Sequence, residues 1–113
     1  MAPSWAVTSE KVQAVVKRII QVSKPRKLIL FGSYARRQLR PHSDLDVLVV
    51  VRDEVRNPRQ ESVRIRQALR GIFMPMDILV VSEGRLKELA EVPGLIYQEA
   101  IRTGITVYEE EAA

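Results

Sequence analysis

Two stretches of this chain begin on an aspartate and continue without a polar break: Asp46-Val47-Leu48-Val49-Val50 and Asp77-Ile78-Leu79-Val80-Val81. A strand with one wet face alternates apolar and polar residues, so an unbroken apolar run marks a strand covered on both faces. Between the two runs, Asn57-Pro58 opens a helix that extends through Gly71, with Val63, Ala68 and Leu69 predicted to face inward. That segment is long enough for a right-handed crossover, so the two strands are expected to run parallel, with Asp77 beside Asp46. The expected class is α/β (α+β): a small mixed β-sheet with helices packed on it.

The rest of the chain supplies the covering elements. Val12, Val15, Val16, Ile19 and Ile20 recur at helical spacing, with Thr8 or Ser9 as cap. Pro25 ends that helix, and Lys27 to Phe31 reads as a short strand. Ser33 to Gln38 is expected to form a short helix, and Leu39 to Ser43 a loop. The second strand spans Asp44 to Val51 and the third Met76 to Val81. A helix follows from Ser82-Glu83 to about Val92, then a last helix from Leu95 to Arg102, on which Tyr97 and Ile101 read as core. Gly104 caps it, Ile105 to Tyr108 forms a closing edge strand, and residues 109–113 are expected to be a frayed tail. With 113 residues this is read as a single domain.

Composition narrows the chemistry. There is no cysteine, which excludes thiolate metal sites and leaves oxygen ligands for any metal. A net charge of +4 favours polyanionic company, but aromatics are few and not interleaved with the arginines, so direct nucleic-acid binding is not expected. No apolar run reaches membrane-spanning length and Met1 to Trp5 shows no basic-then-apolar leader, so the expectation is a cytoplasmic protein without membrane contact.

Asp44 and Asp46 share one strand face about 6.7 Å apart along the chain, a spacing suited to clasping a divalent cation from one side. Asp44 follows Gly32 by only twelve positions, so the strands on either side of Gly32-Ser33 are expected to be antiparallel. The glycine lets backbone approach a phosphate, and the serine hydroxyl and local N–H groups can hold one. Three acids facing such a cradle describe a hard-cation centre. Two magnesium ions about 4 Å apart there would activate an attacking hydroxyl and stabilise a leaving pyrophosphate, which is nucleotidyl transfer.

These residues also match a family. GSYAR, then SDLD with ten residues between Ser33 and Asp44, then a later aspartate on the next strand, resembles the polymerase-beta-like nucleotidyltransferase superfamily. The length is similar to that of its minimal nucleotidyltransferases (MNT), the antitoxin half of HEPN/MNT toxin–antitoxin pairs. The resemblance implies the nucleotidyltransferase fold, with Gly32 and Ser33 binding the nucleotide triphosphate of ATP and Asp44 and Asp46 holding Mg2+. Asp77 would complete the catalytic metal's shell and help position or deprotonate the acceptor. Arg36 matches the family's arginine on the nucleotide side of the site, supporting the loop. The implied partner is a HEPN-type toxin that receives AMP on a tyrosine. No segment of the sequence reads as a pocket for a small acceptor, which favours a protein acceptor over the aminoglycoside-type alternative. A homodimer or hetero-oligomer stays open.

Plainer readings stand beside these. Each aspartate alone would pass as a solvated strand entry or turn acid; it is their spacing behind Gly-Ser that carries the functional reading. His42 is read as a loop residue with no catalytic role, and Arg37 and Arg40 as surface charge. Tyr34 is read as packing or facing solvent. The family commonly carries glycine where this chain has Arg37, which is the best support for a rival: a non-catalytic antitoxin that blocks its partner sterically.

Overall fold

The structure, a computed structural model, describes residues 4–36, 44–55 and 57–111. The expected loop from Leu39 to Ser43, and Arg37, Gln38, Arg40 and His42 with it, lie outside the described residues.

The first helix, α1, spans Ser9–Ser23, and the Thr8 hydroxyl caps it by accepting from the Lys11 N–H. Its stripe of Val12, Val15 and Ile19 is buried. Lys24 ends the helix in the left-handed region and Pro25 prevents continuation. Strand β1 (Lys27–Phe31) and strand β2 (Leu45–Val51) pair antiparallel, with Phe31 opposite Asp46. Helix α2 (Pro58–Ala68) is capped by Asn57, whose side chain accepts from the Gln60 N–H. Strand β3 (Met76–Ser82) then returns parallel to β2, with Asp46 opposite Asp77. The N–H of Leu45 donates to the Pro75 carbonyl at 3.0 Å, which pins the two strand entries side by side. Helices α3 (Glu83–Ala90) and α4 (Ile96–Thr103) follow, and β4 (Ile105–Glu109) pairs antiparallel with the free side of β1. The sheet order is β3-β2-β1-β4.

Alternation sorts the two faces. Leu28, Leu30, Val47, Val49 and Val51 pack with α1 and α2, while Ile29, Phe31, Leu48, Val50 and Val81 pack with α3 and α4. This is the physical content of the unbroken apolar run in β2: both of its faces are covered, and Leu48 is wholly buried. Asp46 has the parity of Leu48 and Val50, so it belongs to the α3/α4 face at the strand's entry.

Several expectations are corrected. Val63 is 51% exposed, and Ile65 takes its place in the core one helical turn before Leu69, which is buried as expected. Ile101 is 48% exposed, because Ala100 with Tyr97 forms the inward stripe of α4. The described part of the expected Ser33–Gln38 helix is a series of turns, closed by one bond from the Arg36 N–H to the Gly32 carbonyl. The expected loose tail is held as far as Glu110: Glu109 ends β4, and the Glu110 carboxylate pairs with Arg26 at 2.8 Å and with Arg52. Among the described residues, no helix is long and apolar enough to cross a membrane.

Candidate active site

The turn after β1 and the entry of β2 are built against each other. Gly32 adopts φ 72°, a left-handed conformation that glycine tolerates best. A Cβ at this position would lie 2.2 Å from Oδ2 of Asp46, so any side chain here would occupy the space of that carboxylate. Two independent demands, backbone handedness and contact, therefore call for glycine at this one position. Ser33, next in the turn, is half-buried.

Pairing does the rest. The parallel register sets Asp77 directly beside Asp46, and Asp44 stands two residues before Asp46 at the same strand mouth. The Asp46 carboxyl is pushed above its ordinary range, first by burial and then by the negative charges of Asp77 and Asp44. The Arg36 guanidinium acts the other way and favours the charged form. The proton affinity of Asp46 is raised in this company, and the three groups together offer only carboxylate oxygen, the donor type preferred by hard divalent ions. Among the described residues, no three such groups converge closely enough to cage an ion as they stand, so the donor chemistry fits a cation but the cage is open.

Two charged neighbours escaped the sequence reading. Arg66, in the last turn of α2, places Nη2 3.9 Å from Oδ1 of Asp77. Glu99, on α4, accepts from Nη1 of Arg36 at 3.0 Å and so orients the arginine of the GSYAR turn. Their only sequence signal is an opposite charge on an element destined to pack nearby.

Elsewhere, an apolar groove of about 490 Å³ runs between α1 and β4, walled by Val12, Val16, Ile20, Tyr34, Ile105 and Val107. It holds none of the carboxylates, and ionic chemistry belongs at the strand mouths rather than there. Tyr34, expected to pack or face solvent, packs against the α1 side of the core.

Comparison with known proteins identifies the family and the fold. The sequence profile of the family described as "Polymerase beta, Nucleotidyltransferase" matches residues 10–113. Among curated proteins none matches the sequence. A solved structure from Sulfolobus solfataricus, described as a "putative nucleotidyltransferase", superposes with a TM-score of 0.53 at 20% identity, over 88% of this chain and 75% of that one, a likeness of fold. The mixed four-stranded sheet and four helices of the described residues thus form the nucleotidyltransferase fold, and the chain belongs to the polymerase beta nucleotidyltransferase family.

Proposed function

We propose that this protein is a Mg2+-dependent nucleotidyltransferase that moves AMP from ATP to a tyrosine of a HEPN-type toxin and thereby acts as its antitoxin. The observation that carries the reading is the fit of Gly32 against the Asp46 carboxylate, with Asp77 in register beside it. Phosphate cradle and acid cluster share one strand mouth.

In this reading the turn at Gly32-Ser33 receives the triphosphate through its N–H groups and hydroxyl, and the Arg36–Glu99 pair keeps that turn in place. Asp44, Asp46 and Asp77 would hold Mg2+, which when bound neutralises phosphate charge and lowers the pKa of the attacking hydroxyl. The tyrosine oxygen attacks the α-phosphorus and gives up its proton on the Asp77 side of the site. The bond to the β-phosphate oxygen breaks in line, and pyrophosphate leaves. Positioning of the acceptor carries much of the rate, so a folded acceptor must dock beside the site. Val92 and Leu95, in the connection between α3 and α4, and Ile96, the first residue of the helix that carries Glu99, are exposed and offer apolar area for such docking. The HEPN identity and the antitoxin role rest on the resemblance to minimal nucleotidyltransferases.

The test is intact-protein mass spectrometry of the protein mixed with a HEPN toxin, ATP and Mg2+. The toxin should gain AMP mass on tyrosine, and Asp46→Asn should abolish the gain. A toxin that is bound and inhibited yet unmodified would replace AMP transfer with steric neutralisation as the mode of action.

A further inference from the structure

Helix α2 returns the chain from β2 to β3, and β3 is an edge of the sheet. Arg66 sits at the end of this crossover, and its guanidinium is held by two neighbours. Nη2 donates to the Ile78 carbonyl at 3.2 Å, and Nε donates to the Ser62 hydroxyl at 3.4 Å. The same Nη2 stands 3.9 Å from Oδ1 of Asp77. That gap exceeds the roughly 2.7–2.9 Å of a charge-assisted hydrogen bond. The guanidinium is therefore tethered by α2 and the edge of β3 rather than drawn onto the carboxylate. It is a fixed positive charge beside the third acid, and both side chains are about half exposed, so ions can reach them.

A fixed cation has a definite effect on a neighbouring metal site. It repels a bare divalent ion approaching Asp77, and solvent screening at half exposure limits the penalty to a few-fold in affinity. An ion that arrives on a polyphosphate meets a different field. Phosphate oxygens suit the planar guanidinium fork, so the charge that repels the naked ion attracts the phosphate-bound one.

On the nucleotidyltransferase reading above, we infer that Arg66 is a positioning residue that makes the cation site at Asp77 conditional on phosphate. Bare divalent ions bind there weakly, and polyphosphate-borne ions bind well. The device guards against occupation by free metal and couples loading of the third acid to arrival of the nucleotide.

Mn2+ binding to the full-length protein, followed by electron paramagnetic resonance, tests this without any turnover. Without nucleotide, Arg66→Gln should bind Mn2+ about three- to fivefold more tightly than the parent, as expected for removing one exposed charge. Arg66→Lys, which keeps the charge, should bind as the parent does. With the non-hydrolysable donor α,β-methylene ATP, the advantage of Arg66→Gln should vanish or reverse. Adding Asp77→Asn to Arg66→Gln should cancel the nucleotide-free gain. Equal Mn2+ affinity in the parent and Arg66→Gln, or a gain that survives Asp77→Asn, overturns the inference. If Arg66→Gln does not fold, Arg66→Met replaces it; failure of both makes the arginine a structural clamp on the edge of β3 and also overturns the inference. Absence of Mn2+ binding in every protein, with and without the nucleotide analogue, would instead remove the metal-dependent reading of the whole site.

Discussion

Gly32 and Asp46 fill one volume between them, and each makes sense of the other. The glycine leaves room for a carboxylate that burial and two like charges disfavour. Because the folded protein holds the Asp46 proton to higher pH than the unfolded chain does, the fold binds more protons than the unfolded state above about pH 3.9. Stability tied to this group is therefore present below that pH and is lost as pH rises through the raised value. Asp46→Asn should accordingly raise the thermal midpoint at pH 7 in chelator and give no gain near pH 3.5. Equal increments at both pH values, measured by circular dichroism, would refute the charge argument. Gly-Ser and Asp-x-Asp were legible in sequence because they follow from local chain geometry, and Asp77 because a second apolar run of the same form, one helix later, implies a parallel neighbour. Arg66 and Glu99 were not legible, because they are charged residues on helices rich in charge, and only the crossover and the packing of α4 determine what they meet.

At the scale of elements, the strands were readable and the helix faces less so. A continuous apolar run has one interpretation, whereas α2 offers few apolar residues and spreads them over different faces. Val63 and Ile65 lie about 200° apart around a helix, so only one can face the sheet. Burial selects Ile65, which continues into Leu69, and leaves Val63 in solvent. The same helix must hold its angle to present Arg66, and its start is fixed by the Asn57 cap with Pro58 behind it. Asn57→Ala should cost about 1 kcal/mol of stability, as loss of a cap does. Urea unfolding should show a lower midpoint with an unchanged slope; an unchanged midpoint would mean that the cap bond at Gln60 contributes nothing.

For the whole molecule, β2 is the keystone, with apolar partners on both faces and paired strands on both sides. Leu48 is fully buried on the α3/α4 side of it. Leu48→Ala should destabilise by about 2–5 kcal/mol, a large fraction of the roughly 5–15 kcal/mol that holds a domain together. Val63→Ala, at an exposed site, should change stability by about 0.5 kcal/mol or less. Comparable losses in the two variants on urea titration would contradict the assignment of the core. The sequence conveyed this layering because a two-faced strand needs cover on each side. It could not show that Glu110 would tie the end of β4 back to Arg26 and Arg52, since those pairs depend on strands brought together from opposite ends of the chain.

The mixed pairing of the sheet also imposes a timetable. Strands β1 and β2 are antiparallel neighbours in sequence, so Gly32 can meet Asp46 as soon as that pair closes. Asp77 must wait for α2 to form and for a parallel pairing between strands distant in the chain, the slower kind of contact to establish. During synthesis the N-terminal part emerges first. A nascent chain therefore passes through a stage that owns the Gly32-Ser33 turn and two of the acids but lacks the third, and all three stand together only in molecules in which β3 has paired with β2.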